Sequence, residues 1–392
     1  MTSPPIRSID IEGVPAVLVR EPPMSIDALP VELLILVFGH LQEYEVNPED
    51  PNKPARLSPQ WLAVRQVCKR WHEIAGDHPS LWRIIDIFAS DHTLAWVNLC
   101  LARSGMTALE LGFHAPDVMR NACEALVGHA GRIRTIWACG EQTIRGLHGL
   151  RLLFLSNLPN VQELHLDDNL SRNSHIFDRD TRFILTELLS DLSAARLPAL
   201  HTLNLSGIFV PWDSAILQNL RVLRLSRWEV SPSTFDEMYH LPVDRFLHAL
   251  AACQLLEELS MDLLNTNPHI QLAIGRLPTI SLPNLRQMEL RVNQFESNVI
   301  FLPILSHIRF PETCSIVLEG STIRFDLEPP SYAKFLPNNP QCFPTLANAI
   351  EATWHGPTAF SCKAPAPPLT EGGRADDAAA PELKLALRDA RA

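Results

Sequence analysis

The feature that most constrains this chain is a short pattern repeated along its middle, in which two apolar residues flank one other residue. It occurs as Leu109-Glu-Leu111, Ile136-Trp-Ala138, Leu164-His-Leu166, Leu203-Asn-Leu205, Leu223-Arg-Leu225, Leu259-Ser-Met261, Met288-Glu-Leu290 and Ile316-Val-Leu318. Most units carry a further apolar residue three positions earlier, at Ile133, Val161, Leu200, Leu220, Leu256 and Leu285. Successive side chains of a strand take opposite faces, so the flanking residues point into a core and the middle one points out. One such unit cannot enclose its own apolar side, and several must therefore stack.

The intervals between first core positions are 27, 28, 39, 20, 36, 29 and 28 residues. Leucine-rich repeats have periods of about 20–29 residues, so five intervals fit and two imply insertions. Asn169 and Asn293 stand where such a repeat carries its buried asparagine, and the other units lack one. The pattern predicts an irregular leucine-rich-repeat solenoid over 91–327. Stacked in parallel, the middle residues Glu110, Trp137, His165, Asn204, Arg224, Ser260, Glu289 and Val317 form one row. Their mixed chemistry suits a face for an unknown protein target, with Trp137 the strongest candidate because aromatic residues are enriched in binding hot spots.

Ahead of the repeats, 26–90 reads as helical. Pro30 fits a first helical turn and Glu32 complements its dipole. The following stretch Leu33-Leu34-Ile35-Leu36-Val37-Phe38 is apolar without interruption. A helix facing a core shows an apolar stripe of roughly 100°, whereas six consecutive apolar residues occupy its whole circumference. A second helix is expected from Ser58-Pro59, with Trp61, Val64, Val67, Cys68, Trp71, Ile74 and Ala75 at spacings of three and four and Gly76 as its stop. A module of about 60 residues buries only about 60% of its surface, so the first helix needs cover from elsewhere.

The ordered residues Leu29-Pro30, Glu32-Leu33-Leu34, Val37-Phe38, Leu41, Val67-Cys68-Lys69-Arg70-Trp71, Ile74-Ala75, Pro79 and Leu81-Trp82 resemble an F-box. The resemblance is narrower to the F-box-like proteins abundant in fungi, which continue into a segment like Arg103-Ser104-Gly105. It implies a three-helix module that docks on the Skp adaptor of a cullin–RING ubiquitin ligase. By motif position, Pro30, Leu33, Leu34, Val37, Phe38, Val67, Cys68, Trp71, Leu81 and Trp82 would make that contact or support it. One departure is the long linker from Glu43 to Leu57, rich in acids and prolines, which reads as a solvated loop.

The expected organisation is α/β: an N-terminal arm (1–25), the three-helix F-box-like module (26–90), the repeat solenoid (91–327) and a Pro-rich, partly disordered tail (328–392). The formal charge of −11 argues against gripping nucleic-acid phosphates. No apolar run approaches a membrane span and the first residues lack a signal-peptide block, so a cytoplasmic or nuclear place is expected. The eight cysteines are widely spaced, with no C-x-x-C pair. No phosphate loop, nucleophile elbow or zinc helix is present, Cys68 with His72 is a weak metal pairing, and no catalytic residue, metal or cofactor is implied. The chain therefore reads as a non-catalytic, substrate-recruiting ligase subunit. The alternative is a repeat scaffold with no ligase association.

Overall fold

A computed structural model describes residues 26, 29–42, 46–47, 50–54, 59–88, 90, 92–114, 116–140, 143–168, 194–206, 215–229, 243–264, 277–292, 305–322, 351–354, 359–363 and 382–389. The N-terminal arm, Asn169, Asn293, most acidic residues of the 43–57 linker and the 364–381 stretch lie outside them. The chain divides into two compact units, Met1–Leu81 and Trp82–Ala392.

The first unit holds α1 (Val31–His40), a short antiparallel hairpin of β1 (Val46–Asn47) and β2 (Asp50–Pro54), and α2 (Lys69–Asp77). The hairpin stands where the sequence suggested a solvated loop. The expected single second helix is two: a 3-10 helix over Pro59–Gln66, then α2, separated by Cys68 in extended conformation. The residue spacing explains the division. Trp61, Val64 and Val67 recur every third residue, the period of a 3-10 helix, whereas Trp71, Ile74 and Ala75 follow the three-and-four spacing of an α-helix. Gly76 lies inside the last turn of α2 rather than acting as its left-handed stop.

The second unit is built on a 12-stranded sheet. Its parallel strands are β3 (Ile84–Ile87), β4 (Leu109–Phe113), β5 (Ile133–Gly140), β6 (Glu163–Asp168), β7 (Thr202–Ser206), β8 (Val222–Glu229), β9 (Glu258–Leu264), β11 (Gln287–Val292), β13 (Ser315–Thr322) and β16 (Glu382–Asp389). From β3 to β9 each strand pairs with the next in sequence. Then β9 pairs β11 and β11 pairs β13, past a separate two-stranded piece, β10 (Ile280–Ser281) with β12 (Ile308–Arg309). Parallel neighbours require a crossover. It is helical where α3 (Thr93–Arg103), α4 (Pro116–Val127), α5 (Thr143–Leu155) and α6 (Val243–Ala252) intervene.

The repeated apolar pairs form the core of this unit. Leu164, Leu203, Leu223, Leu259, Met288 and Ile316 are in register and buried, as are Leu166, Leu205, Leu225, Met261, Leu290 and Leu318 two positions on. Ile133, Val161, Leu200, Leu220, Leu256 and Leu285 are buried as well. At the strand entries the ladder gains one more backbone bond each, such as Gln162 N to Arg134 O (2.8 Å), Arg221 N to His201 O (2.8 Å) and Glu257 N to Arg221 O (2.7 Å). Gly105, at φ 54°, supplies the left-handed residue that closes α3. There Arg132 donates to Ser104 Oγ (2.7 Å) and to the Thr107 carbonyl (3.1 Å), tying the end of α3 to the entry of β5.

Within the region expected to be a partly disordered tail, β14 (Glu351–Trp354), β15 (Ala359–Lys363) and β16 join the sheet edge. β14 and β15 are antiparallel, and β16 is parallel to β13. The first strand of the sheet, β3, also lies inside the segment assigned from sequence to the helical module.

Candidate functional site

The apolar helix α1 has two unlike sides. Leu34 and Phe38, one turn apart, are fully buried. Phe38 meets Trp71 of α2 edge-on, with ring centroids 5.0 Å apart and planes at 61°. Across the helix, Leu33 (46% exposed), Leu36 (60%) and Val37 (46%) stand at i, i+3 and i+4 and form a bare apolar stripe. Val31, Leu41 and Val67 are also exposed. Polar contacts brace the inner side. Gln42, itself buried, donates to the Leu81 carbonyl (2.5 Å), and Arg70 donates to the Leu29 carbonyl (2.6 Å).

The ten residues assigned to adaptor contact therefore separate. Pro30, Leu33, Val37 and Val67 are exposed, and Cys68 and Trp71 are partly exposed. Leu34, Phe38, Leu81 and Trp82 are buried and present no surface of their own; Leu34 and Phe38 hold the bare stripe in place from the inner side of α1. Trp82 packs on Trp96, 6.1 Å between centroids. Leu36 and Leu41 were missed. An unbroken apolar run cannot reveal which third of a helix faces inward, and only the packing partner Trp71 decides it. The ring of His72 engages Arg65, at its carbonyl (Nδ1, 3.1 Å) and its guanidinium (Nε2, 3.2 Å), rather than pairing with Cys68.

Residues 26–87 match the F-box-like family. The F-box-like domain thus covers the described part of the first unit and extends through β3. No curated protein matches the chain.

The outward face of the sheet departs from expectation. Leu111, not Leu109, is in register with Ile136, an offset of two residues, and the pairing of β4 with β5 is also irregular between Leu109 and Glu110. Gly112 consequently stands beside Trp137, and Glu110 lies one row back, beside Thr135. From Trp137 on, the row continues as predicted through His165, Asn204, Arg224, Ser260, Glu289 and Val317. These residues are not open side chains, however. Asn204 is buried and the others are only partly exposed.

Strands about 4.8 Å apart bring the row's members against one another and their neighbours. Trp137 packs against His165 with ring centroids 4.4 Å apart and planes tilted by 31°, and His165 Nε2 lies 3.4 Å from Glu163. The hydrogen bond to His165 holds the Glu163 carboxyl below its usual range, against the opposing effect of burial. Arg224 clasps Glu258 with two bonds, 2.7 and 3.1 Å, and Ser260 donates to Glu289 (3.4 Å).

At the start of the sheet the structure assembles a cluster that the sequence did not mark. His114 Nε2 donates to Asp86 Oδ1 (2.9 Å), and its Nδ1 lies 3.5 Å from Cys139 Sγ. Phe88 stacks on the imidazole at 4.6 Å, with planes 9° apart, and Trp96 donates to the Asp86 carbonyl (3.1 Å). Gly112 lies beneath: a Cβ there would run into the Asp86 carboxylate and sit 3.0 Å from His114 Nε2. Burial pushes the imidazole toward neutrality, but its bonds to Asp86 and Cys139 outweigh that and raise it to about 9. The sequence signal was faint, since these positions become neighbours only once three strands are in register.

No helix among the described residues is long and apolar enough to cross a membrane.

Proposed function

We propose that the chain is a substrate-recruiting subunit of a Skp–cullin–RING ubiquitin ligase, with the F-box-like domain docking on the Skp-type adaptor and the sheet unit binding a target protein. One observation carries the reading: the F-box-like domain presents a bare stripe of Leu33, Leu36 and Val37 on a helix whose other side is locked by Phe38 on Trp71. Large apolar side chains gathered on one helix face mark a protein-binding surface. The sheet unit, read as an irregular leucine-rich-repeat array, supplies the second surface. Its one-dimensional stacking lets insertions between strands vary without disturbing the core, which suits a target-specific end.

On this reading the mechanism is proximity. The chain performs no bond chemistry in the transfer and raises the effective concentration of the target at the ligase. Co-purification of the full chain with a Skp-type adaptor tests it, with Leu36→Asp as the comparison. Retention of the adaptor by the natural chain and its loss in the variant support the reading. Failure of the natural chain to retain the adaptor refutes it and leaves a scaffold.

A further inference from the structure

We propose that Cys139 is a nucleophilic thiol, positioned by the His114–Asp86 pair, that takes oxidative modification from small uncharged hydroperoxides. This is independent of adaptor docking and rests on the cluster in the sheet unit.

Three features set the site apart. First, the order carboxylate, imidazole, sulfur repeats the arrangement by which a third group orients a base toward a nucleophile. Asp86 holds Nε2 of His114 at 2.9 Å, which leaves Nδ1 directed at Cys139 Sγ, 3.5 Å away. Second, the imidazole cannot turn aside. It is stacked on Phe88, its side chain is 10% exposed, and it crosses over Gly112, the one residue type that leaves room for it. Third, Cys139 stays partly exposed, whereas Cys100, Cys123, Cys253 and Cys314 are buried. Burial pushes those four thiols up to about 12, which leaves them inert.

Among the described residues, the charged groups on this side of the sheet nearest the sulfur are His114 just after β4, Asp86 behind it on β3, and Asp167 of β6, whose backbone is in register with Cys139. The Asp86 carboxylate on the imidazole, with Asp167 on the adjoining strand, disfavours an anionic reagent and leaves a neutral peroxide as the suited electrophile. In the reaction the Cys139 sulfur attacks the terminal peroxide oxygen, an S–O bond forms and the O–O bond breaks. The sulfur is oxidised to sulfenic acid. The peroxide is reduced, and the departing hydroxide or alkoxide takes a proton from His114 to leave as water or alcohol.

The experiment uses the full chain with two readouts. Hydrogen peroxide treatment followed by dimedone trapping and peptide mass spectrometry ranks the cysteines, and Cys139 should be trapped ahead of the partly exposed Cys68. Iodoacetamide rates are then measured at one pH for both residues, in the natural chain and in His114→Gln checked by circular dichroism. Loss of the imidazole beside the sulfur should slow Cys139 about tenfold or more and leave Cys68 unchanged. Using Cys68 as the internal reference separates a local effect from a change in the reagent. If Cys139 of the natural chain is trapped no faster than Cys68, or reacts equally fast in a folded His114→Gln, the assignment is overturned.

Discussion

Replacing Leu33 and Leu36 together by serine isolates the docking surface from the fold. Burying a Leu side chain fully is worth about 1.5–3 kcal/mol. Leu36 has 60% of its surface left to bury and Leu33 46%, so docking gains about 1.2 and about 0.9 kcal/mol from them at 2 kcal/mol per side chain. The double variant should weaken adaptor binding by roughly 2 kcal/mol, about 30-fold in Kd. Because both positions face away from Phe38 and Trp71, the thermal unfolding of the unbound chain should move little. Isothermal titration against a purified Skp-type adaptor measures the first quantity and circular dichroism the second. An unchanged Kd in a folded double variant would refute the argument that this stripe is the contact. Substituting Phe38 or Trp71 could not make the distinction, since those residues support the same surface from within.

Other expected outcomes follow from the packing. Phe38→Ala removes a fully buried ring and should cost about 3–5 kcal/mol, seen as faster hydrogen exchange over residues 59–77. Gly112→Ala forces a methyl group against Asp86 and His114 and should destabilise the sheet unit by about 1–3 kcal/mol in urea unfolding. His114 is raised to about 9 when folded, against an unfolded value near ~6.5. Its contribution to stability is therefore fully present below pH ~6.5 and disappears as pH rises through about 9. The urea midpoint should decline across that window in the natural chain and stay flatter in His114→Gln.

How much was legible in the sequence differs between the units. The apolar pairs from Ile136 to Ile316 announced a stacked sheet because strand alternation is a local rule, and a residue's face follows from its neighbours alone. The first unit of the pattern was placed two residues early. Leu109-Glu-Leu111 satisfies the same rule as its neighbours, and the two-residue offset that sets Leu111 beside Ile136 exists only in the pairing. The row of middle residues was found, but not its mutual satisfaction, since Arg224 with Glu258 or Trp137 with His165 requires knowing which strands adjoin.

The amino-acid order by itself determined that an F-box-like segment precedes a leucine-patterned sheet, because both signals are carried by spacings within a few turns or one strand. Tertiary structure alone decided which side of α1 stays bare and that β16 pairs with β13. It also decided that Asp86, His114 and Cys139 meet. Each of these depends on contacts between residues far apart in the chain, where distance in space is set by packing and not by sequence spacing.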